Sequence, residues 1–560
     1  LALLLLASVV NAEEPNKALV DEAKKIDGGD TAWMMVSTAL VLLMVPGLAL
    51  FYGGMVRRKN VLATMMQSMV ALAVVGVYWF AIGYALAFGE PWLYFNMDKG
   101  SFLGFSKKLV FLQGIQPYER LPGTNIPIYL HMLYQGMFAI ITPALISGAI
   151  AERIRFKPYC VFLLLWITFV YCPLAHCVWG MDYWVAGDKA GTNAIGYLGK
   201  MDALDFAGGT VVHIAAGFSS LAAILVLRRR IGYPEQAMHP NSMVLTLTGA
   251  GLLWFGWFGF NGGSGLQSGA LATSAFAATQ CAAAAAGLSW MLVEWLHRGK
   301  PTALGLASGV VAGLVAVTPA SGFVLPWGGF AIGLIAGVVC YISVCLKPFI
   351  KYDDSLDAFG VHGVGGFLGA VLTGVFCYQW TYLDPVIGQD GLIASGSSKQ
   401  VVTQLIAASL SAVFAFFLSL ILVKGVDILF GFMASEAEEN DGLDRTEHGE
   451  TGFDFGYGYS VVPAQESAEP RPAIVPPFGS GRFKILVEGI NNGDLMHAWS
   501  ELCQPTSNPS PEFKAIYPFV TTVQGNRFQF RGGDQEQMKQ NLLRLFEKSL
   551  QKPLRVKVEP

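Results

Sequence analysis

Two histidines stand in stretches that are otherwise apolar. His213 lies in Asp205-Phe-Ala-Gly-Gly-Thr-Val-Val-His213-Ile-Ala-Ala-Gly217, and His362 in Phe359-Gly-Val-His362-Gly-Val-Gly-Gly366. A neutral imidazole offers one donor and one acceptor and titrates near neutrality. A buried one is therefore either satisfied by a backbone carbonyl or fit to hold and relay a proton. An ionisable group inside a hydrophobic span is costly and by default marks a path or a site. Asp205 adds an acid to the first stretch. Along a continuous helix it would lie two turns, about 12 Å, from His213, nearer one membrane surface; it is also a candidate helix N-cap.

Elements of membrane-spanning length must position these groups. Of 560 residues, 53% are hydrophobic and 14% charged, against about 25% charged in soluble domains; the mean hydropathy is +0.47. Apolar runs long enough to cross a bilayer predict eleven transmembrane helices, at 32–56, 61–88, 129–151, 157–180, 206–227, 243–262, 270–296, 302–318, 326–347, 358–382 and 402–433. The expected class is an all-α polytopic membrane protein. Lys and Arg follow the odd-numbered spans, as in Arg57-Arg58-Lys59, Arg153 and Arg155, and Arg228-Arg229-Arg230, whereas the connections after spans six and eight have none. The positive-inside rule then predicts the N-terminus outside and the C-terminus in the cytoplasm of a plasma (inner) membrane protein. Residues 1–12 read as the apolar region and small-residue end of a secretory signal.

Spans one to five and six to ten form two five-helix sets of opposite orientation. His213 in span five and His362 in span ten hold corresponding places. Inverted repeats with a site at their interface are a transporter arrangement, so the two histidines are expected to meet near a pseudo-twofold axis. Glycines such as Gly249, Gly251, Gly256 and Gly259 suit close helix packing. The eight cysteines show no zinc or disulfide spacing. A net charge of −3, with no basic stripe and interleaved aromatics, gives no sign of nucleic-acid binding. No cofactor or metal site is expected.

Four motifs carry a resemblance: Asp205 to His213; Trp257-Phe-Gly-Phe260-Asn261-Gly-Gly-Ser264; Asp357-Ala-Phe-Gly-Val-His362-Gly; and Gly148-Ala-Ile-Ala-Glu152-Arg153. Together, in their order along the chain, they resemble the ammonium transporter (Amt/Mep/Rh) family over residues 31–453. The resemblance implies a homotrimer with a pore through each subunit for ammonium or ammonia. It implies that Trp179, Ser264 and Phe138 line an outer vestibule that recruits the cation, that Asp205 supports it from below, that Phe138 and Phe260 form a gate, and that His213 and His362 line the pore. From the residues alone, Trp179 also fits an interfacial anchor, Phe138 and Phe260 core packing, and Ser264 a cap.

Residues 434–459 include Leu443-Asp-Arg-Thr-Glu-His-Gly-Glu450, which resembles the family's C-terminal segment. In relatives that segment packs on the cytoplasmic face, and a PII-type signal protein often docks there. This makes His448 a poor metal candidate. Residues 460–481, rich in Pro, Ala, Ser and Gly, predict a linker. Residues 482–560 then read as strand, helix, two strands around Gln524-Gly525-Asn526, helix and strand, a β-α-β-β-α-β order like a ferredoxin-like unit. Strands are expected over 513–523 and 526–531. Arg531-Gly-Gly-Asp534 has the wrong acid spacing for a cyclase signature, and no Walker loop or phospho-acceptor motif is present, so enzyme chemistry is not expected. Two functions follow: an ammonium transporter with a regulatory tail, or an ammonium sensor that signals through that tail with little flux.

Overall fold

The computed structural model describes residues 24–185, 190–378 and 390–453, and, in the C-terminal region, 482–488, 494–495, 498–499, 513, 516–517, 520–524, 527–531, 535–550 and 555–559. The expected signal at 1–12 and linker at 460–481 lie outside the described residues. The chain divides into two compact units, Leu1–Val461 and Val462–Pro560.

Among the described residues, the first unit is all-α apart from one hairpin. Ten of its helices are long and apolar enough to cross a membrane: α1 Gly28–Met55, α2 Arg58–Phe88, α3 Ile128–Ile150, α4 Phe156–Trp179, α5 Gly209–Val226, α6 Met243–Gly265, α7 Ala270–Arg298, α9 Pro326–Ile350, α10 Phe359–Phe376 and α11 Lys399–Phe430. The eleventh, α8 Ala303–Val317, is shorter. Its 15 residues reach only about 22 Å at 1.5 Å per residue. The predicted spans 61–88 and 129–151 imply a long connection between α2 and α3; the structure places an antiparallel hairpin there, β1 Glu90–Asn96 with β2 Gly100–Phe105.

Helix starts follow local capping chemistry. Asp27 accepts from Asp30 N at 2.7 Å and opens α1. Ser242 opens α6. Thr302 opens α8 and is itself held by Glu294. Gly249, Gly256 and Gly259 bring α6 against the backbone of α1, while Gly251 points into open space. Small residues thus do their packing on one face of α6 only.

Among the described residues, four spanning helices contain a π-helical turn, at Trp79–Gly83, Ile167–Tyr171, Gly209–Ile214 and Phe359–Gly363. The last two carry His213 and His362. No periodicity of apolar residues announces such a turn; it re-aims side chains, and it recurs at functional sites.

After α11, two short helices follow, α12 Glu436–Asp441 and α13 Leu443–His448. They belong to the first unit and dock at the ends of α2 and α4. Asp444 accepts from Ala63 N at 2.8 Å, and Glu447 from Phe156 N at 2.8 Å, so each acid caps a helix that the chain laid down hundreds of residues earlier.

The second unit holds a four-stranded antiparallel sheet: β3 Arg482–Glu488, β4 Val520–Gln524, β5 Arg527–Arg531 and β6 Arg555–Glu559, in the spatial order β4-β5-β3-β6. Helix α14, Gln535–Leu550, buries Met538, Leu542, Leu545 and Phe546 with Ile485, Val487, Phe528 and Phe530 of the sheet. The expected strand at 513–523 begins only at Val520, because Phe513 and Ile516 are helical and both are buried in this core.

Candidate functional site

The site grows from two helix beginnings. The apolar run predicts span five from 206, with Asp205 as a candidate cap; the helix starts at Gly209, four residues beyond Asp205. The carboxylate turns back onto it. Oδ1 accepts from Gly208 N and Gly209 N at 2.8 and 2.6 Å, and Oδ2 from Thr210 N and Val211 N at 2.8 and 3.1 Å. These are backbone donors that a helix start leaves unpaired, at its positive end. Gly208 turns the chain with φ +111°, which only glycine adopts freely.

The same device opens α10. Asp354 accepts from Ala358 N and Phe359 N at 3.0 and 2.8 Å. Three residues on, where the first set has Gly208, Asp357 also takes a positive φ, of +60°; Asp is among the few side chains that tolerate it. Asp354 stands eight residues before His362, as Asp205 does before His213. The structural partner of Asp205 is therefore Asp354, and not the Asp357 of the quoted motif. Lys347 pairs with Asp357.

The two helices cross in backbone contact. A Cβ on Gly217 would collide with the backbone of Gly363, and one on Gly366 would press on His213 Cβ. Each glycine lies four residues beyond a histidine. This crossing brings His213 Nδ1 and His362 Nδ1 to 3.3 Å, with the rings stacked at 5.3 Å and 20°. Both are buried, and His213 Nε2 has no protein partner. Trp257 stacks on His213 at 5.4 Å, and its indole N–H donates to Thr318 Oγ1.

A narrow cavity of about 10 Å³ runs beside the pair, lined by Met44, Leu48, Val212, Leu253, Phe260 and Val311 among others. A site needs about 10–15 Å³ to admit one water, so this cavity has room for no more than one small molecule. Phe138 and Phe260 close one end: their ring centroids are 4.3 Å apart and each is 1% exposed. Beyond them opens a cavity of about 420 Å³.

Phe138, Trp179, Asp205 and Ser264 all line this larger cavity. Trp179 meets Phe138 edge to face at 6.1 Å. Its indole N–H donates to Asp205 O at 2.9 Å, so Asp205 fixes both the start of α5 and the tilt of the indole. Ser264 donates to Phe260 O at 2.8 Å and lies 3.2 Å from the Tyr134 hydroxyl. It caps α6 and lines the cavity at once. The seven residues singled out in the sequence thus line two neighbouring cavities: Phe138, Trp179, Asp205 and Ser264 the larger, and Phe260, His213 and His362 the narrow one. Sequence reasoning missed Asp354, Tyr134, His131 and Gln135. The eight-residue Asp-to-His spacing, present twice, was the signal available for Asp354.

The end of the bundle that carries the Arg residues is locked by buried charge. Arg153 pairs with Asp353 at 3.0 Å, and Arg230 pairs with Asp353 at 2.7 Å and with Glu152 at 3.0 Å. Glu152 also accepts from Arg57 N and Asn60 Nδ2. Burial alone would raise the carboxyl pKa of Glu152 and of Asp353. Arg230 and Arg57 hold the first below its ordinary range, and Arg230 and Arg153 the second.

These features define a class: an α-helical membrane protein with a narrow apolar lumen, an aromatic closure and a buried histidine pair. The model of the Ammonium Transporter Family matches residues 32–453, and the chain belongs to that family. It is 42% identical over 425 residues to the Ammonium transporter Amt1 of Archaeoglobus fulgidus, covering 76% of this chain and 99% of that one. Among solved structures it resembles Saccharomyces cerevisiae Mep2, with 34% identity and a TM-score of 0.66 over 76% of this chain and 91% of that one. It also resembles a structure described as Sensor Amt Protein, with 26% identity and a TM-score of 0.66 over 77% of this chain and 99% of that one.

Proposed function

We propose that this protein moves ammonium across the membrane by passing it through the lumen as ammonia. The observation that carries the reading is the Nδ1-to-Nδ1 contact of His213 and His362 behind the Phe138–Phe260 closure. In the larger cavity the faces of Trp179 and Phe138 attract a small cation, by about 0.5–2 kcal/mol, and Ser264 Oγ accepts an N–H bond. Sodium or potassium entering the apolar lumen would lose water without replacement. Ammonium has another course: it releases a proton and continues as a neutral molecule. Two Nδ1 atoms at 3.3 Å share one proton. One ring then presents a lone pair at Nε2 and the other an Nε2–H. A proton entering at the first and leaving at the second shifts the shared one between them, so the pair can relay what the cation gives up.

The matched turns at Asp205 and Asp354 support the inverted five-helix repeat, and the sheet order β4-β5-β3-β6 supports a ferredoxin-like tail. A homotrimer with the larger cavity outside, the Arg-rich end in the cytoplasm and a PII-type partner there belongs to the same proposal, on the family's precedent. Ammonium pulses on proteoliposomes holding the full chain test transport: uptake is expected with ammonium and not with potassium.

The second reading is an ammonium sensor. The C-terminal unit beyond the family region and the likeness to a sensor structure favour it. Deleting 482–560 tests it: a cellular ammonium response that survives unchanged excludes the tail as its output.

A further inference from the structure

The larger cavity holds polar groups that the recruitment set does not use. His131, Gln135 and Phe138 follow one another at helical spacing on α3, which puts them on one face, and all three line the cavity. His131 is 1% exposed. Its Nδ1 lies 2.8 Å from the Tyr84 hydroxyl, and its ring meets Phe88 edge-on at 4.9 Å and Tyr183 at 6.0 Å. The other ring nitrogen, Nε2, has no protein partner, and neither has Gln135 Oε1. Buried polar atoms are nearly always paired. Two exceptions one turn apart on the wall of one cavity point to a small ligand.

Proton accounting selects its chemistry. Tyr84 is wholly buried, so its O–H has to donate, and His131 Nδ1 is the partner it meets. That donation leaves the imidazole proton on Nε2. The wall then presents an N–H donor and, a turn away, a carbonyl acceptor. Ammonium has only donors and cannot receive a bond from Nε2–H. Water and ammonia both donate and accept.

We propose that His131 Nε2–H and Gln135 Oε1 form a subsite for a small neutral amphiprotic molecule, water or ammonia, one turn before Phe138. The inference rests on the transport reading. A water held there stays as a hydration ligand while the aromatic faces replace the rest of the cation's shell. Tyr84 is a positioning residue, because it fixes the tautomer.

The test measures ammonium transport by the full chain in proteoliposomes, with half-saturation and maximal rate read separately. His131→Phe and Gln135→Met are each expected to raise the half-saturating concentration about tenfold, with the maximal rate within about twofold. His131→Gln keeps an N–H near the place of Nε2 and stays within about threefold of the parent. Tyr84→Phe frees the imidazole proton and changes the pH dependence of half-saturation, which lost packing alone would not do. Unchanged half-saturation in both His131→Phe and Gln135→Met overturns the subsite, as does an equal loss in His131→Gln and His131→Phe. Experimental structures that show ordered water, with and without ammonium salt, separate the sources. A peak bonded to Nε2 and Oε1 in both is water; one that needs ammonium salt is ammonia. No peak in either overturns the subsite, even where a variant fails to fold or the parent proves not to transport.

Discussion

His213 and His362 meet through like atoms, Nδ1 to Nδ1 at 3.3 Å. Two lone pairs would repel there and two N–H groups would clash, so one proton is shared and the pair acts as a unit. Replacing His362 by Leu, close in size and apolar, leaves His213 without its partner. Transport should fall at least about tenfold, while ammonium binding in the larger cavity persists. Full transport by a well-folded His362→Leu variant would show that the relay is not needed.

Asp205 and Asp354 make a graded prediction. An amide has one acceptor oxygen where a carboxylate has two. Asp205 holds four backbone N–H groups through its two oxygens, and Asp354 holds two, one on each. Losing buried hydrogen bonds costs about 1–3 kcal/mol per group left unsatisfied, so Asp205→Asn should destabilise more than Asp354→Asn. Thermal unfolding in detergent measures the order. Asp205→Asn should also loosen Trp179, visible in its fluorescence.

This pair also marks how far the sequence could be read. The eleven spans, the corresponding places of the two histidines and the aromatic set follow from hydropathy, spacing and quoted motifs, and the structure sets those residues around two neighbouring cavities. The local geometry was not legible. An apolar run does not say that a helix starts at Gly209, because Phe206 and Ala207 are as apolar in a turn as in a helix. The π turns leave no periodic trace. The caps by Asp444 and Glu447 join positions more than 280 apart in sequence, which local pattern cannot reveal. The tail shows the same limit: the stretch 513–523 reads as strand, yet Phe513 and Ile516, three residues apart, are helical and share the core.

The buried network around Asp353 sets a pH prediction. Glu152 and Asp353 have folded pKa values below their ordinary 4.5 and 3.8. A depressed carboxyl contributes stability that is full above its unfolded value and is lost as pH falls through the folded one. The stability these two carboxylates contribute should therefore hold from neutrality to about pH 5 and decline below about pH 4. Asp353→Ala leaves Arg153 buried without its ion-pair partner and Arg230 with Glu152 alone, at a cost of about 3–5 kcal/mol, and should flatten that acid decline. Unfolding curves against pH check both.

The docking of α13 predicts a local effect. Glu447→Ala removes the cap from α4 and Asp444→Ala the cap from α2, each costing about 1 kcal/mol. Hydrogen exchange should rise at Ala63 in the Asp444 variant and at Phe156 in the Glu447 variant, and little elsewhere in the spans. A global rise in exchange would mean that these acids do more than cap.

The central claim is that the lumen passes ammonia derived from ammonium and refuses dehydrated metal cations. Proteoliposomes containing the full chain, pulsed with equal concentrations of ammonium and potassium salts, test it directly through uptake and internal pH. The account predicts saturable uptake with ammonium, none with potassium, and loss of the ammonium signal in His362→Leu. Uptake of potassium at a comparable rate, or no ammonium uptake by a chain that still binds the cation, would contradict it.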